Sequence, residues 1–513
     1  MTGIEDFVNT GFTPVSDAIS AIIFYPLTAF GLSVPIVVIW LIAAGIIFTV
    51  YFGAPQIRHI PLALKIVRGK FTRGDEPGEV THFQALTSAV SGTVGLGNIA
   101  GVGVAVSLGG PGATFWMVVA GLISMCTKFV ECTLGVKYRE IHEDGSVTGG
   151  PFRYLRVAFG RFGDSVPARL LSKFLVGFFA AAILLFGMGG GNMFQANQTF
   201  AQVRNVTGGA DGLFGSTFAT LLFGLALAAL VGVVILGGIK SIGAVTSRLV
   251  PAMAIFYVLS CLLVLAINVG QIPEAIGSIF GGAFSPEGVS GGVLGALVIG
   301  FQRAAFSNEA GIGSAPIAHS AVRTERPVTE GFVAMLEPFI DTVVICTMTA
   351  LTIIIANPAS YVAARQEVAE TGATTADGVV LTSDAFAEVA TWYPYLLAFA
   401  VILFAYSTLV TWSYYSLKAW TTLFGRSRLS ENIFKVGYLF FTVLGTLVTL
   451  TAVLNFADAM LFACAFVNII GLYLLMPVVK SEVRGFLDDL KSGRLQEVEN
   501  PQSLIHPGES KDH

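Results

Sequence analysis

Charge is what this sequence has least of. Asp, Glu, Lys and Arg make up 12% of its 513 residues, against about 25% in an average soluble protein. A soluble chain of this length would fold as two or three domains, each with a charged surface that so few ionic residues cannot supply. Net charge is −4 and no basic stretch is long enough to track a nucleic-acid backbone, which excludes a nucleic-acid binder. Cysteine is sparse too. Cys126, Cys132, Cys261, Cys346 and Cys464 each sit in an apolar run, without pairing or metal-ligand spacing, and read as small core residues. His59, His82, His142 and His319 are scattered at the edges of apolar runs. No metal or nucleophile constellation forms, so the chain does not read as a membrane-embedded enzyme. The polar, acidic stretch Met1 to Ser20 lacks the basic n-region of a cleavable signal.

Apolar residues are what it has instead: 54% of the chain, with 40 Phe and 58 Gly and a mean hydropathy of +0.75. Disorder is excluded by the aromatics, and a polytopic membrane protein remains. A spanning helix takes about 20 apolar residues. Eleven stretches qualify: 25–53, 83–107, 112–138, 174–203, 214–238, 249–270, 291–318, 331–356, 392–424, 434–453 and 457–479. With eleven spans, the basic loops at 58–73 and 139–173, the positions Lys240, Arg248, Arg323, Arg326, Arg426, Arg428 and Lys435, and the tail all fall on one side. Only Arg204 and Arg365 fall on the other, whose longest loop, 357–390, is acidic. By the positive-inside bias the N-terminus is outside and the C-terminus cytoplasmic, in a plasma (inner) membrane.

Sliding the chain on itself by 210 residues lays Gly97-Asn98-Ile99-Ala100-Gly101-Val102-Gly103 on Ser307-Asn308-Glu309-Ala310-Gly311-Ile312-Gly313. Without a gap, Gly121 and Met125 then fall on Gly331 and Met335, and Phe129-Val130-Glu131 on Phe339-Ile340-Asp341. The copies begin in the second and seventh spans. The seventh span is five after the second, an odd offset, so they face opposite ways: an inverted repeat, which is a transporter architecture. The expected organisation is an N-terminus, peripheral helix and loop over 1–80, a first five-helix repeat over 81–270, a second over 291–479 and a cytoplasmic tail over 480–513.

Both copies open on a glycine-interrupted helix. Unwinding a helix within the membrane frees N–H and C=O groups that lipid cannot satisfy, so a ligand must. Helix N-termini favour an anionic group and C-termini a cation, which together suit a zwitterionic amino acid with a metal ion. Candidate substrate-binding residues are Thr93, Gly95, Gly97 and Asn98 of the first interruption and Phe301, Gln302, Phe306 and Ser307 of the second. The fourth span adds Gly189, Asn192, Gln195 and Asn197, with Asn192, Gln195 and Thr199 on one helical face, and the ninth adds Trp412. Ser407, Thr408 and Thr411 of the ninth span are neutral oxygen donors fit for Na⁺. Among intramembrane charges, Lys128 and Glu131 lie one turn apart and should pair. Glu131 and Asp341, equivalent in the repeat, should share a structural role, and Glu309 or Glu337 could relay a proton. Arg303 has no assigned role.

Gly109-Gly110-Pro111-Gly112-Ala113-Thr114-Phe115-Trp116-Met117 resembles the signature of the alanine or glycine:cation symporter family. Gly95 to Gly101, Phe306 to Gly313 and Thr411-Trp412-Ser413-Tyr414-Tyr415 are similar to it as well, and the resemblance runs from about residue 80 to 480. It implies an all-α polytopic membrane protein of eleven transmembrane helices, a LeuT-type 5+5 inverted repeat plus one N-terminal peripheral helix. It implies a sodium/alanine symporter, with substrate at the two unwound segments. Sodium would lie between the backbone from Thr93 to Leu96 and the hydroxyls of Ser407 and Thr408, and Trp412 would be a pocket wall. Na⁺ would be the coupling ion, with no organic cofactor. The alternatives are a proton-coupled transporter of the same fold and, less in keeping with an inverted repeat, a channel.

Overall fold

The computed structural model describes residues 3–29, 32–73, 76–143, 145–235, 238–284 and 292–498; the end of the expected tail, 499–513, lies outside them. The molecule is mostly helical. Among the described residues seven helices are long and apolar enough to cross a membrane: Gly112–Lys137, Val166–Val206, Thr217–Ile235, Ile242–Ile267, Pro327–Ala356, Tyr393–Phe424 and Leu450–Lys491. An eighth candidate is the bent pair His82–Thr93 and Gly97–Gly109, whose halves meet at 53°. The shorter helices Ile36–Phe52, Gly292–Asn308 and Arg428–Gly445 occupy three further expected spans.

Three expectations need correction. The first span does not start at 25: Pro26–Ala29 and Leu32–Pro35 pair as an antiparallel hairpin, and the helix begins at Ile36. Pro26 and Pro35 lack N–H groups and end any helix that would run through them. The polar N-terminus is a helix, Gly3–Ile23, laid on Leu450–Lys491. Its Ser16 and Ser20 hydroxyls donate to the Ala452 and Asn455 carbonyls, and Phe12 meets Phe456. The acidic loop 357–390 contains two helices, Ala359–Thr371 and Gly378–Ala387, and the second is buried rather than exposed.

Two helices form the frame. Gly112–Lys137 packs along Pro327–Ala356 through glycines that correspond in the repeat: Gly121 sits against Thr342 and Val343, and Gly331 against Phe129 and Thr133. The same contact is thus made twice, once in each direction. The ends of the bundle differ. At one, the basic segments gather: Lys65 pairs with Glu497 at 2.6 Å, Lys137 with Glu482 at 2.7 Å and Arg326 with Asp489 at 2.7 Å. At the other, Asn9, Asn197, Arg204, Asp377 and Thr449 line a cavity of about 710 Å³. Burial raises the Asp377 carboxyl above its ordinary range, against a hydrogen bond from Gln198 that lowers it.

Candidate functional site

The first interruption covers Val94 to Leu96, between His82–Thr93 and the short π-helical turn Gly97–Gly101 that opens the second half. Its free polar groups are capped from within the protein. Gly95 N–H donates to Asn98 Oδ1 at 3.0 Å, Leu96 N–H to Gln195 Oε1 at 3.0 Å, and the Leu96 carbonyl accepts from Ala100 N–H at 2.7 Å. Gly95 has to be glycine, because a Cβ there would overlap Thr408 Oγ1. A Cβ on Gly97 would lie 3.5 Å from the Phe306 ring and 3.6 Å from the Ser307 Cα, so the two broken helices pack closely here. A Cβ on buried Gly101 would meet nothing within 4 Å, which leaves open space inside the protein beside this segment.

The second interruption runs from Glu309 to Ser314, between Gly292–Asn308 and Ala315–His319. It is strained where the first is not. Glu309 has φ +55°, and Gly311 and Gly313 both have +86°. Glycine takes this conformation freely, but a side chain held there costs roughly 1–3 kcal/mol. Glu309 is over-determined: Ser314 Oγ donates to Oε2 at 2.6 Å and Trp412 Nε1 to Oε1 at 3.1 Å. Asn308 Oδ1 accepts from Ala310 N–H, and Asn468 Nδ2 donates to the Gly311 carbonyl at 2.8 Å.

Three side chains join the two interruptions. Trp412 donates its single N–H to the Gly92 carbonyl at 3.2 Å as well as to Glu309. Asp341 accepts from Asn98 Nδ2 and from Ser307 Oγ, each at 2.7 Å. Phe306 stacks edge-on to Phe194 at 5.2 Å, with the Arg303 guanidinium 5.3 Å from its centroid. Arg303 itself is paired with Asp458, which answers how its buried charge is met.

The ninth-span hydroxyls do not act alike. Thr408 Oγ1 donates to the Ser91 carbonyl and Thr411 Oγ1 to Ser91 Oγ, both at 3.0 Å, while Ser91 Oγ donates to the Ser407 carbonyl at 3.0 Å. This gathers neutral oxygens of two helices at one spot beside Gly95. The Ser407 hydroxyl turns back to its own helix, on the Phe404 carbonyl at 2.9 Å, and the Thr93 hydroxyl does likewise, on the Ala89 and Val90 carbonyls. Sequence reasoning misses Ser91, since no spacing singles it out from Ser88 one turn earlier.

The fourth span departs from expectation. Gly189–Met193 is a π-helical turn, and the residue it inserts rotates the rest of the helix. Asn192 and Gln195 therefore do not share a face: Asn192 Nδ2 donates to the Tyr438 carbonyl at 2.7 Å, while Gln195 reaches Leu96. Asn197 donates to the Val448 carbonyl at 2.7 Å, at the wall of the outlying cavity. Gly189 backs onto Phe456, and Gly187 and Gly191 seat the Trp412 indole. Phe301 packs on Trp116, 6.5 Å between centroids, and Gln302 is half-buried on the same helix. Six candidates, Thr93, Gly95, Gly97, Asn98, Phe306 and Ser307, are thus brought together with Gln195, Thr408, Thr411 and Trp412. Gly189, Asn192, Asn197 and Phe301 are turned elsewhere.

Lys128 does approach Glu131, at 3.9 Å, but its nearer partner is Glu337 at 3.1 Å. Glu131 accepts from Asn468 and from the backbone of Gly311 in the second interruption, whereas its repeat equivalent Asp341 joins Asn98 to Ser307. Nor are the histidines all scattered: His82 and His319 converge on one buried carboxylate, Glu330.

Residues 19–500 match the family described as the sodium:alanine symporter family. The sodium/alanine symporter AgcS of Methanococcus maripaludis is 38% identical over 457 residues, covering 88% of this chain and 94% of that protein. The amino-acid carrier protein AlsT of Bacillus subtilis is 32% identical over 493 residues, 96% of this chain and 94% of its own. Among solved structures, MhsT in complex with L-phenylalanine superposes with a TM-score of 0.53 at 14% identity, over 76% of this chain and 89% of its own. That likeness establishes the fold as LeuT-type.

Proposed function

This chain belongs to the sodium:alanine symporter family, and from that premise we propose that it carries a small neutral amino acid into the cell together with Na⁺ by alternating access. It is a multi-pass membrane symporter, not an enzyme. The reading rests on one observation above the rest: two interrupted helices touch at Gly97 and Phe306, with buried open space beside Gly101.

The substrate carboxylate would meet the N-terminal end of Gly97–Gly109, where helix partial charge favours an anion. Gly95, Gly97, Asn98, Phe306, Ser307 and Trp412 would enclose the rest. The acidic side chains at the breaks are already taken: Ser314 and Trp412 occupy both oxygens of Glu309, and Asn98 and Ser307 both oxygens of Asp341. With no charge left over for a substrate side chain, alanine or glycine fits better than a charged amino acid. Na⁺, a hard cation, would take the oxygens gathered around Ser91: its carbonyl, Thr408 Oγ1 and Thr411 Oγ1, with backbone of the Thr93 to Leu96 segment and of Ser407.

Ile36–Phe52 and Gly292–Asn308, 17 residues each, and the 18 of Arg428–Gly445 reach about 26 Å at ~1.5 Å per residue. Counting them as spans gives the eleven, with Ile36–Phe52 peripheral. The reciprocal Gly121 and Gly331 contacts support two related halves, 81–270 and 291–479. The basic end would be cytoplasmic, with the N-terminus outside in the plasma membrane.

Uptake of labelled alanine into proteoliposomes tests this. Accumulation should follow an inward Na⁺ gradient. Uptake driven by a pH gradient with no Na⁺ present would instead make the proton the coupling ion.

A further inference from the structure

The basic end of the bundle holds a cluster of titratable side chains that the transport site does not use. One carboxylate oxygen of Glu330 meets His82 Nδ1 and the other meets His319 Nδ1, and all three side chains are at most 1% exposed. The positions of these histidines matter. His82 is the first residue of the first broken helix, and His319 is the last of the second. Glu330 stands on the frame, one residue before Gly331, which is pressed on Phe129 and Thr133 of the crossing helix. A single carboxylate therefore holds the ends of both broken helices to the frame.

Main-chain contacts close the same end. Val80, just before the first broken helix, bridges to Val322, just after the second, and Glu79 N–H donates to the Ala321 carbonyl at 2.7 Å. Arg139, at the end of the crossing helix, donates to the carbonyls of Pro77, Ser320, Val322 and Thr324. Behind Glu330, His319 Nε2 lies 3.6 Å from Glu337 Oε2, and Glu337 pairs with Lys128. Among the described residues, His82 Nε2 has no hydrogen-bond partner. Cys132 is buried in a patch with Ala89 of the first broken helix, Ala315 of the second and Ala334 of the frame.

We propose that Glu330 is a proton-binding bolt of the gate at this end: ionised, it fastens both broken helices to the frame, and protonated, it lets one of them go. The proposal rests on the alternating-access reading above. Its chemistry is donor and acceptor matching. An ionised carboxylate offers an acceptor to each Nδ1–H, and a neutral histidine keeps its Nδ1–H, so raising the pH leaves both bonds in place. One proton added to the carboxylate turns an oxygen into an O–H that faces an N–H. Where that histidine's other nitrogen also carries a proton, as His319 is placed to do between the Glu330 and Glu337 carboxylates, Nδ1 cannot turn acceptor, two donors oppose each other, and that bond is lost. The proton comes from water at that end and returns to it when the gate closes. The groups around Glu330 are His82 on the first broken helix, His319 on the second, and Arg139 and Cys132 of the crossing helix; Glu76 lies beside His82, and Glu337, paired with Lys128, lies behind His319.

Cys132 is a native reporter of the opening. The full-length protein is treated with N-ethylmaleimide at one neutral pH, and modification of Cys132 is followed by peptide mass spectrometry. Cys464, buried in Leu450–Lys491, serves as the internal control for unfolding. Glu330→Gln imitates the protonated acid and should speed Cys132 modification roughly tenfold, the loss of one hydrogen bond to a charged group, with Cys464 still protected. Glu330→Asp, which keeps the charge, should stay close to the native rate. His82→Gln removes one arm alone and should give the same acceleration if Glu330→Gln does not fold. Alanine uptake should vary with pH at the basic end in the native protein and lose that dependence in Glu330→Gln. Unchanged Cys132 rates in both Glu330→Gln and His82→Gln, or identical pH profiles in native protein and Glu330→Gln, would overturn the bolt. The alkylation arm needs no transport, so failure of alanine uptake would count against the transport reading and leave the bolt to be judged on Cys132.

Discussion

The two interruptions correspond in sequence and are built on opposite chemistry. The first is neutral and relaxed: its backbone groups are capped by Asn98 and Gln195, and among the described residues of Val94 to Leu96 none has a positive φ. The second is charged and strained, with Glu309, Gly311 and Gly313 in the left-handed region and Glu309 clamped by Ser314 and Trp412. The difference teaches that a duplicated break need not be a duplicated site. On the proposed reading the neutral break holds the ion and the carboxylate, and the strained one stores and releases a conformation. Trp412, with one N–H shared between Gly92 and Glu309, lets each break report on the other.

Breaking the neutral side should have the largest effect. Gly95→Ala drives a methyl into Thr408 Oγ1, an overpacking of about 1–3 kcal/mol, and should cut alanine uptake at least tenfold, read as initial rate at fixed Na⁺. The strained side should respond differently. Glu309→Gln keeps the shape but puts an amide NH₂ where one oxygen accepts from Ser314 or Trp412, so one of those hydrogen bonds is lost, about 1 kcal/mol. It should slow turnover more than it raises the Na⁺ requirement. Next, Thr408→Ala removes an oxygen on the Ser91 carbonyl and should raise the half-saturating Na⁺ about fivefold, for ~1 kcal/mol. Ser407→Ala should do less, because that hydroxyl bonds its own helix. The smallest effect on transport belongs to Asn192→Ala. It leaves both breaks untouched and costs only the bond to Tyr438, so the melting temperature should fall while KM for alanine holds.

A pH measurement at Asp377, whose neighbour Gly378 packs on Ala100 just past the first break, checks how far these effects spread. Burial raises the Asp377 carboxyl, so the folded state binds a proton there more readily than the unfolded chain. Its ionisation therefore opposes folding, and stability should decline as pH rises through the carboxylate range. Asp377→Asn should remove that part of the decline without moving the Na⁺ requirement.

Much of this was legible in the residues. The apolar runs, the basic segments and the register that places Asn98 on Asn308 gave the breaks their positions, because hydropathy and glycine spacing are local signals. What the sequence withheld depends on geometry or distance. The π-helical turn at Gly189–Met193 turns Asn192 away from Gln195, and no ideal helical spacing anticipates an inserted residue. The glycines of that run look like room for a ligand, but Gly187 and Gly191 are room for Trp412. His82, His319 and Glu330 look scattered along the chain and meet only when both broken helices end beside the frame. The helix at Gly3–Ile23 is hidden by its polar composition, since the surface that receives it lies on the last long helix.

The most direct test of the division between the breaks is alanine affinity as a function of Na⁺, measured on purified protein for the native chain, Thr408→Ala and Glu309→Gln. Affinity should rise with Na⁺ in the native chain and in Glu309→Gln, and the rise should flatten in Thr408→Ala. A native affinity indifferent to Na⁺, or a dependence lost equally in both variants, would contradict the assignment of the ion to the first break.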